Sequence, residues 1–160
     1  ENFGGHTYAA GLSLKEENLE AFTQRFLKLA ADEIIPEQMI PQIDIDAVLD
    51  LLDINAKFMS ELKKMNPFGP DNQKPVFCSL GVKDYGTSKL VGKDLEHIKL
   101  ELIDDKSNTP IHGIAFGMHQ HNAYIKEMKP FNICYTIEEN TYNGNTSLQL
   151  MVKDIKENDI

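Results

Sequence analysis

Two hydrophobic periodicities divide this chain. Up to about residue 66 apolar residues recur at helical spacing, and from Val76 onward they alternate with polar ones. Leu19, Phe22, Phe26, Leu29 and Ala30 fall on one face of a helix over 15–33, with Arg25 and Lys28 off that stripe. Ser13 and Glu16 have capping-box spacing, and Glu16 and Glu17 suit the positive end of the helix dipole. Pro36 and Pro41 mark a connector, and the alternation Ile43-Asp44-Ile45-Asp46 predicts that it leads into a strand. Residues 47–53 read either as more strand or as a helix start. Asn55 then caps a helix to Met65 whose apolar face is Phe58, Met59, Leu62 and Met65.

Strands are predicted over 76–82, 89–92, 97–103 and 111–118. The alternation is cleanest in 97–103, where His97, Lys99 and Glu101 oppose Ile98, Leu100 and Leu102. A polar insert over 117–129 carries a short helix through Ala123–Met128. Residues 131–142 and 147–155 form a hairpin around Asn143-Gly144-Asn145, a strong turn signal. The expected class is α+β. A helix between the third and fourth strands of a five-stranded barrel fits an OB-fold, with a β-sandwich as the fallback.

Between the two regimes lies Asn66-Pro67-Phe68-Gly69-Pro70-Asp71-Asn72-Gln73-Lys74-Pro75-Val76-Phe77. Its prolines and glycine exclude the interior of a helix or strand. Phe68 and the closing Val76-Phe77 make it a fixed, packed connection rather than a loose linker.

Composition narrows the picture. The chain has 160 residues, 41% hydrophobic and 26% charged, enough for a domain and an appendage with an ordinary core. No apolar run approaches a membrane span, and the first residues show no basic or apolar leader, so a cytoplasmic location is expected. Cys78 and Cys134 sit inside apolar runs without a CxxC partner, and read as buried thiols. The net charge of −9, with more acid than base in every stretch, argues against strong nucleic-acid binding except through a local basic stripe.

Candidate chemistry is sparse. Gly4-Gly5-His6 reads either as a phosphate clasp of free amides and an imidazole or as a tight turn with an incidental histidine. Asp44, Asp46, Asp50 and Asp53 read as the wet side of a strand followed by helix starts, in preference to metal ligands. His119-Gln120-His121 has no third ligand nearby and reads as a polar loop; His97 and His112 read as half-exposed strand residues. OB-folds hold single strands by stacking bases on aromatics and tracking phosphates with lysines. The candidates are Lys83, Lys89, Lys93 and Lys99 with Tyr85 and Tyr142. Phe116, in an apolar strand, reads as core. The opposing interpretation is that these lysines are edge charges that discourage strand pairing.

Three stretches, in one order, carry a family resemblance. Phe3-Gly4-Gly5-His6-Thr7-Tyr8-Ala9-Ala10-Gly11-Leu12 resembles the GGHxxAAGL signature of DHHA1 domains. The Pro67–Phe77 stretch resembles the PFGPxNxxPVF wording of RecJ-type single-stranded-DNA-specific exonucleases. Glu139–Leu150 resembles the hairpin that closes the RecJ OB-fold. The resemblance implies the end of a DHHA1 domain (1–35), a connector strand and helix (36–66), an OB-fold (67–156) and a tail (157–160). It implies a C-terminal segment that guides single-stranded DNA to a catalytic DHH domain outside this chain. The intact enzyme would be a 5′–3′ exonuclease of recombination and repair, dependent on Mn2+ or Mg2+. The segment itself would carry no catalytic or metal residue and would be inactive alone. The resemblance also implies a phosphate-binding role for Gly4, Gly5 and His6. Expected partners are single-stranded DNA, the DHH domain and other repair proteins, with a homodimer through the helix over 15–33 as a further expectation. The alternative is a protein-docking OB module with little DNA affinity; a tRNA-editing DHHA1 protein is disfavoured by the second and third stretches.

Overall fold

The structure, a computed structural model, describes residues 2–142 and 144–158, and the side chain of Tyr142 lies outside that description. The chain divides into two compact units, Glu1–Ile43 and Asp44–Ile160. The stretch read as a connector, 36–66, falls across this division.

The first unit is a small hairpin and a helix. Strands β1 (Phe3–His6) and β2 (Ala9–Leu12) pair antiparallel, Gly4 opposite Gly11 and Gly5 opposite Ala10. A 3-10 turn at Glu16–Asn18 leads into α1 (Leu19–Glu33). The expected capping box does not form. The turn's cap is Lys15, which offers no side-chain bond, and Ser13 donates its N–H to Asn2 O (2.8 Å) as an extension of the hairpin. Ser13 lies two residues too early to cap a turn that begins at Glu16. No residue of α1 is buried: Phe22 and Phe26 stack at 5.8 Å, yet remain 38% and 58% exposed. The apolar stripe legible in the sequence is therefore present as an open face.

The second unit is built on one sheet. Its strands are β3 (Ala47–Val48), β4 (Phe77–Asp84), β5 (Lys89–Val91), β6 (His97–Ile103), β7 (Ile111–Ala115), β8 (Phe131–Tyr142) and β9 (Asn145–Glu157). They lie in the order β3-β4-β8-β9-β7-β6-β5. A further pairing of β4 with β6 closes the circuit β4-β8-β9-β7-β6, leaving β3 and β5 appended to it. The β7–β9 pair is parallel, as is β3–β4. Residues 51–53 form a 3-10 turn, and α2 spans Ala56–Lys63. A short helix, α3 (Asn122–Lys126), joins β7 to β8 and buries Ile125 completely. This is the OB-fold arrangement expected from the strand pattern.

Alternation decides which residues meet inside. On β6, Ile98, Leu100 and Leu102 are fully buried while Lys99 faces out. They pack with Val82, Phe131, Ile133, Tyr135, Ile137 and Leu150, each contributing about 1.5–3 kcal/mol of burial. The strand β4 bends at a bulge between Ser79 and Val82, where Gly81 takes φ +66 and donates its N–H to Asn132 Oδ1 (2.9 Å).

Several local expectations shift. Ile43–Asp46 is not strand; Asp46 N–H donates to Val76 O (2.8 Å) and the two-residue β3 follows. The helix α2 is capped as expected, by Asn55 Oδ1 on the N–H of Lys57 (3.0 Å) and Phe58 (3.1 Å). Leu62 is buried and Phe58 meets Phe77 edge-on at 5.5 Å, but Met65 stays 48% exposed, beyond the helix end. Asp84, beyond the strand expected over 76–82, ends β4 and is fully buried. Glu157, assigned to the tail, extends β9 opposite Phe131, as Lys156 does opposite Asn132.

The proline-rich connection is fixed as expected. Gly69 and Asn72 exchange backbone hydrogen bonds (2.9 and 3.1 Å), and Asn72 Nδ2 donates to Met65 O and Pro67 O (2.9 Å each). Phe68 packs against the core. Cys78 and Cys134 face each other across β4 and β8; both are buried, and burial pushes both thiols up from their ordinary pKa.

Candidate nucleic-acid interface

The outer surface of β5, β6, β7 and β9 gathers most of the chemistry. Cross-strand partners share a face. Lys89 lies opposite Lys99, Lys99 opposite Ile114, and Ile114 opposite Met151. One row along, Glu101 lies opposite His112, His112 opposite Gln149, and Gln149 opposite Glu138. Lys99, His112, Asn140, Ser147 and Gln149 line a groove of about 370 Å³ on this face.

The four predicted lysines separate into two sets. Lys89, Lys93 and Lys99 are exposed and make no ion pair among the described residues. Lys83 is on the same face at the far end of β6, opposite Ile103, and is bound to Asp105 at 3.0 Å. Lys93 sits in the turn between β5 and β6, closed by Asp94 N–H on Glu96 Oε2 (2.9 Å). The Glu96 carboxyl is held below its usual range, first by its own backbone N–H, against a smaller desolvation effect, with Asp94 N–H, His97 and His119 helping.

Lys89 and Lys99 are the unusual pair. Like charges directly opposite on a sheet repel, at about 0.2–1 kcal/mol. Here two cations face each other without a carboxylate partner, in a chain of net charge −9. A bound anion would relieve that repulsion.

Aromatic groups flank the pair. Phe116, read as core from the sequence, is 54% exposed and meets His97 edge-on at 4.9 Å. Gly113 and Ala115 point inward, so the period places 112, 114 and 116 on the outer face. The signal was in the chain, masked by the apolar neighbours of Phe116. His112, Asn140, Ser147 and Gln149 were missed because nothing in the sequence marks which outward positions of four strands will converge. Tyr85 is 48% exposed, its N–H held by Glu101 O (2.8 Å). The stacking role expected of Tyr142 rests on a side chain outside the described residues.

A buried network holds the loop that carries Tyr85. Asp84 Oδ1 accepts from Ser88 N (3.1 Å) and Ser88 Oγ (2.6 Å), and its Oδ2 lies 3.4 Å from Lys126 Nζ. Ser88 Oγ accepts from Glu101 N–H (2.9 Å), and Lys126 also donates to Ser88 O. Burial pushes the Asp84 carboxyl up, but the Ser88 hydroxyl, the N–H groups of Gly86 and Ser88, and Lys126 outweigh it and hold the pKa below the ordinary value.

The other sequence candidates lie elsewhere. Gly4, Gly5 and His6 are exposed on β1, and His6 Nδ1 accepts from Tyr8 N–H (3.2 Å). Asp46 Oδ2 accepts from Val76 N–H (2.8 Å), and Asp50 pairs with Lys106 (2.6 Å), so two of the four aspartates brace the fold. His119–His121 is a 3-10 turn, and His121 pairs with Glu157 (2.8 Å). Among the described residues no three His, Cys, Asp or Glu side chains come together to hold a metal ion. No helix among them is long and apolar enough to cross a membrane.

Comparison with known proteins supplies the context. Residues 45–154 match the RecJ OB domain family. The chain is 29% identical over 154 residues to the single-stranded-DNA-specific exonuclease RecJ of Haemophilus influenzae, covering 96% of this chain and 26% of that protein. The RecJ of Bacillus subtilis is also 29% identical over 154 residues, covering 96% of this chain and 19% of the relative. The chain thus spans about a quarter or less of the length of the curated relatives it matches. Among solved structures, RecJ from Thermus thermophilus in complex with Mn2+ aligns with a TM-score of 0.74 at 19% identity, over 99% of this chain and 22% of that one. A second structure of that protein, in complex with Mg2+, gives 0.73. The described residues offer no donor set for the metals of those complexes. The closed strand circuit, the helix between β7 and β8, and the match over 45–154 agree: this chain belongs to the RecJ OB domain family.

Proposed function

We propose that this chain grips single-stranded DNA along the outer face of β5, β6 and β7 and passes it to a catalytic domain carried elsewhere in a RecJ-like 5′–3′ exonuclease of DNA recombination and repair. The observation that carries the reading is the unrelieved pair Lys89–Lys99, beside the exposed Phe116. Phosphates would bind between the lysines, and a base would stack on Phe116 or Tyr85. Lys93 extends the stripe. Lys83, neutralised by Asp105, stands apart from it. Gly4, Gly5 and His6 would meet substrate phosphate only in the intact enzyme, where Mn2+ or Mg2+ chemistry belongs to the catalytic domain.

The test is fluorescence anisotropy of a labelled single strand against a duplex, across a salt series. Three lysine contacts predict a log–log salt slope of about −2, at about 0.7 per phosphate. Lys89→Ala and Lys99→Ala each flatten it by about 0.7, and Lys83→Ala leaves it unchanged. No single-strand binding at low salt would mean that the net charge prevails and that the chain docks protein instead. The purified chain with Mn2+ or Mg2+ is expected to leave labelled single strands undigested; metal-dependent digestion would overturn the division of labour.

A further inference from the structure

The groove beside the lysine pair has a chemistry distinct from a phosphate track. We infer that Asn140, Ser147 and Gln149, with Lys99 at the rim, form a subsite for one unpaired nucleobase, read at its hydrogen-bonding edge; this rests on the single-strand reading above.

The lining carries the inference. Asn140 and Gln149 each present an amide with a donor next to an acceptor, Ser147 a hydroxyl that is either, and Lys99 a cation. A Watson–Crick edge is the same kind of object: adjacent donors and acceptors in one plane. Register brings these groups together from four strands: Asn140 opposite Ser147 on β8 and β9, Gln149 opposite His112 on β9 and β7, and Lys99 on β6. Among the described residues the side chains of Lys99, Asn140, Ser147 and Gln149 have no hydrogen-bond or ion-pair partner, so their bonding capacity is open to a ligand.

Charge points the same way. No carboxylate lines the groove. The two acids nearest in register are already engaged: Glu101 with Thr87 and, at 3.6 Å, His112, and Glu138 with Lys74 at 2.7 Å. The volume of about 370 Å³ suits a nucleotide-sized group rather than a helix or strand. Lys99 stands between the groove and Lys89, so the base would enter the groove while its phosphate lies between the lysines. In a duplex that edge is occupied by the partner strand. Edge reading therefore gives the face a physical reason to reject paired DNA that stacking and phosphate contacts alone do not supply.

The test separates the edge from the π face. Anisotropy is measured with an oligothymidylate and with the same strand methylated at every thymine N3, which blocks the edge and keeps the ring and the phosphates. The wild type is expected to bind the methylated strand about tenfold more weakly, the equivalent of two lost hydrogen bonds. The double variant Asn140→Ala/Gln149→Ala, whose far-ultraviolet dichroism reports its fold, should bind both strands equally. Phe116→Ala should weaken both in proportion. Equal wild-type affinity for the two strands, or an equal loss for both in the double variant, overturns the subsite and leaves the single-strand reading standing. Wild-type binding to neither strand at low salt overturns both.

Discussion

Asp84 is fully buried, and replacing it tests the physics of the loop that carries Tyr85. In Asp84→Ala, the Ser88 N–H and hydroxyl, at 3.1 and 2.6 Å from Oδ1, lose their acceptor. A hydrogen bond to a charged group contributes about 1.5–3 kcal/mol, and Ser88, 2% exposed, cannot turn to water. Lys126 is 43% exposed at its side chain and regains solvent, so its share is discounted to about 0.2–1 kcal/mol. The expected loss is about 3–7 kcal/mol. Asp84→Asn keeps an oxygen for both Ser88 donors but gives up the charge and the Oδ2 acceptor that faces Lys126 Nζ, so it should lose about 1–2 kcal/mol. Urea unfolding followed by far-ultraviolet dichroism measures both. The pH dependence fixes the sign. The folded pKa lies below the ordinary value, so the carboxylate stabilises above about pH 4 and its contribution fades as pH falls through the folded value. The gap between wild type and Asp84→Asn should therefore close on acidification from pH 7. A loss under about 1 kcal/mol in Asp84→Ala would refute the reasoning, as would a gap that widens toward low pH.

Tyr135 is fully buried with its hydroxyl 2.7 Å from Ser79 Oγ, and burial pushes its pKa up to about 12. Its absorbance titration should therefore lag the exposed tyrosines, and stability should fall as pH rises past about 10, where the unfolded phenol ionises first. Tyr135→Phe should lose only about 1 kcal/mol in urea, since Ser79 Oγ keeps its bond to Leu49 O (2.7 Å). Asn72→Ala removes the two donations that clamp the turn-rich connection and should cost about 1–2 kcal/mol by the same assay; no change would mean that the prolines alone hold it. Phe116→Ala should leave the melting temperature within about 2 °C, because the ring is half-exposed, while weakening single-strand affinity several-fold; a large drop in melting temperature would return Phe116 to the core.

Much of this architecture is local information. Strict alternation in 97–103 determines that Ile98, Leu100 and Leu102 share one face, and the structure buries all three. Turn chemistry marks the connection at 66–75, and Asn55 marks the start of α2, because caps and turns are satisfied by neighbours in sequence. Three ordered motifs carried the family.

The proposed binding face was decided at long range. A two-residue period assigns lysines to a surface, but it does not say which strands lie side by side or in what register. Only the β5–β6 pairing sets Lys89 against Lys99, and only the β4–β6 closure brings Lys83 to Asp105 and removes it from the stripe. Phe116 faces solvent because β7 packs between β6 and β9 with Gly113 and Ala115 inward. Asp84, which lies outside the strands predicted from the sequence, becomes a buried anchor only once α3 delivers Lys126 from 42 residues away. Hydrophobicity and turn propensity are properties of a few consecutive residues. Charge pairing and convergence depend on distances between segments that closure of the barrel alone brings together.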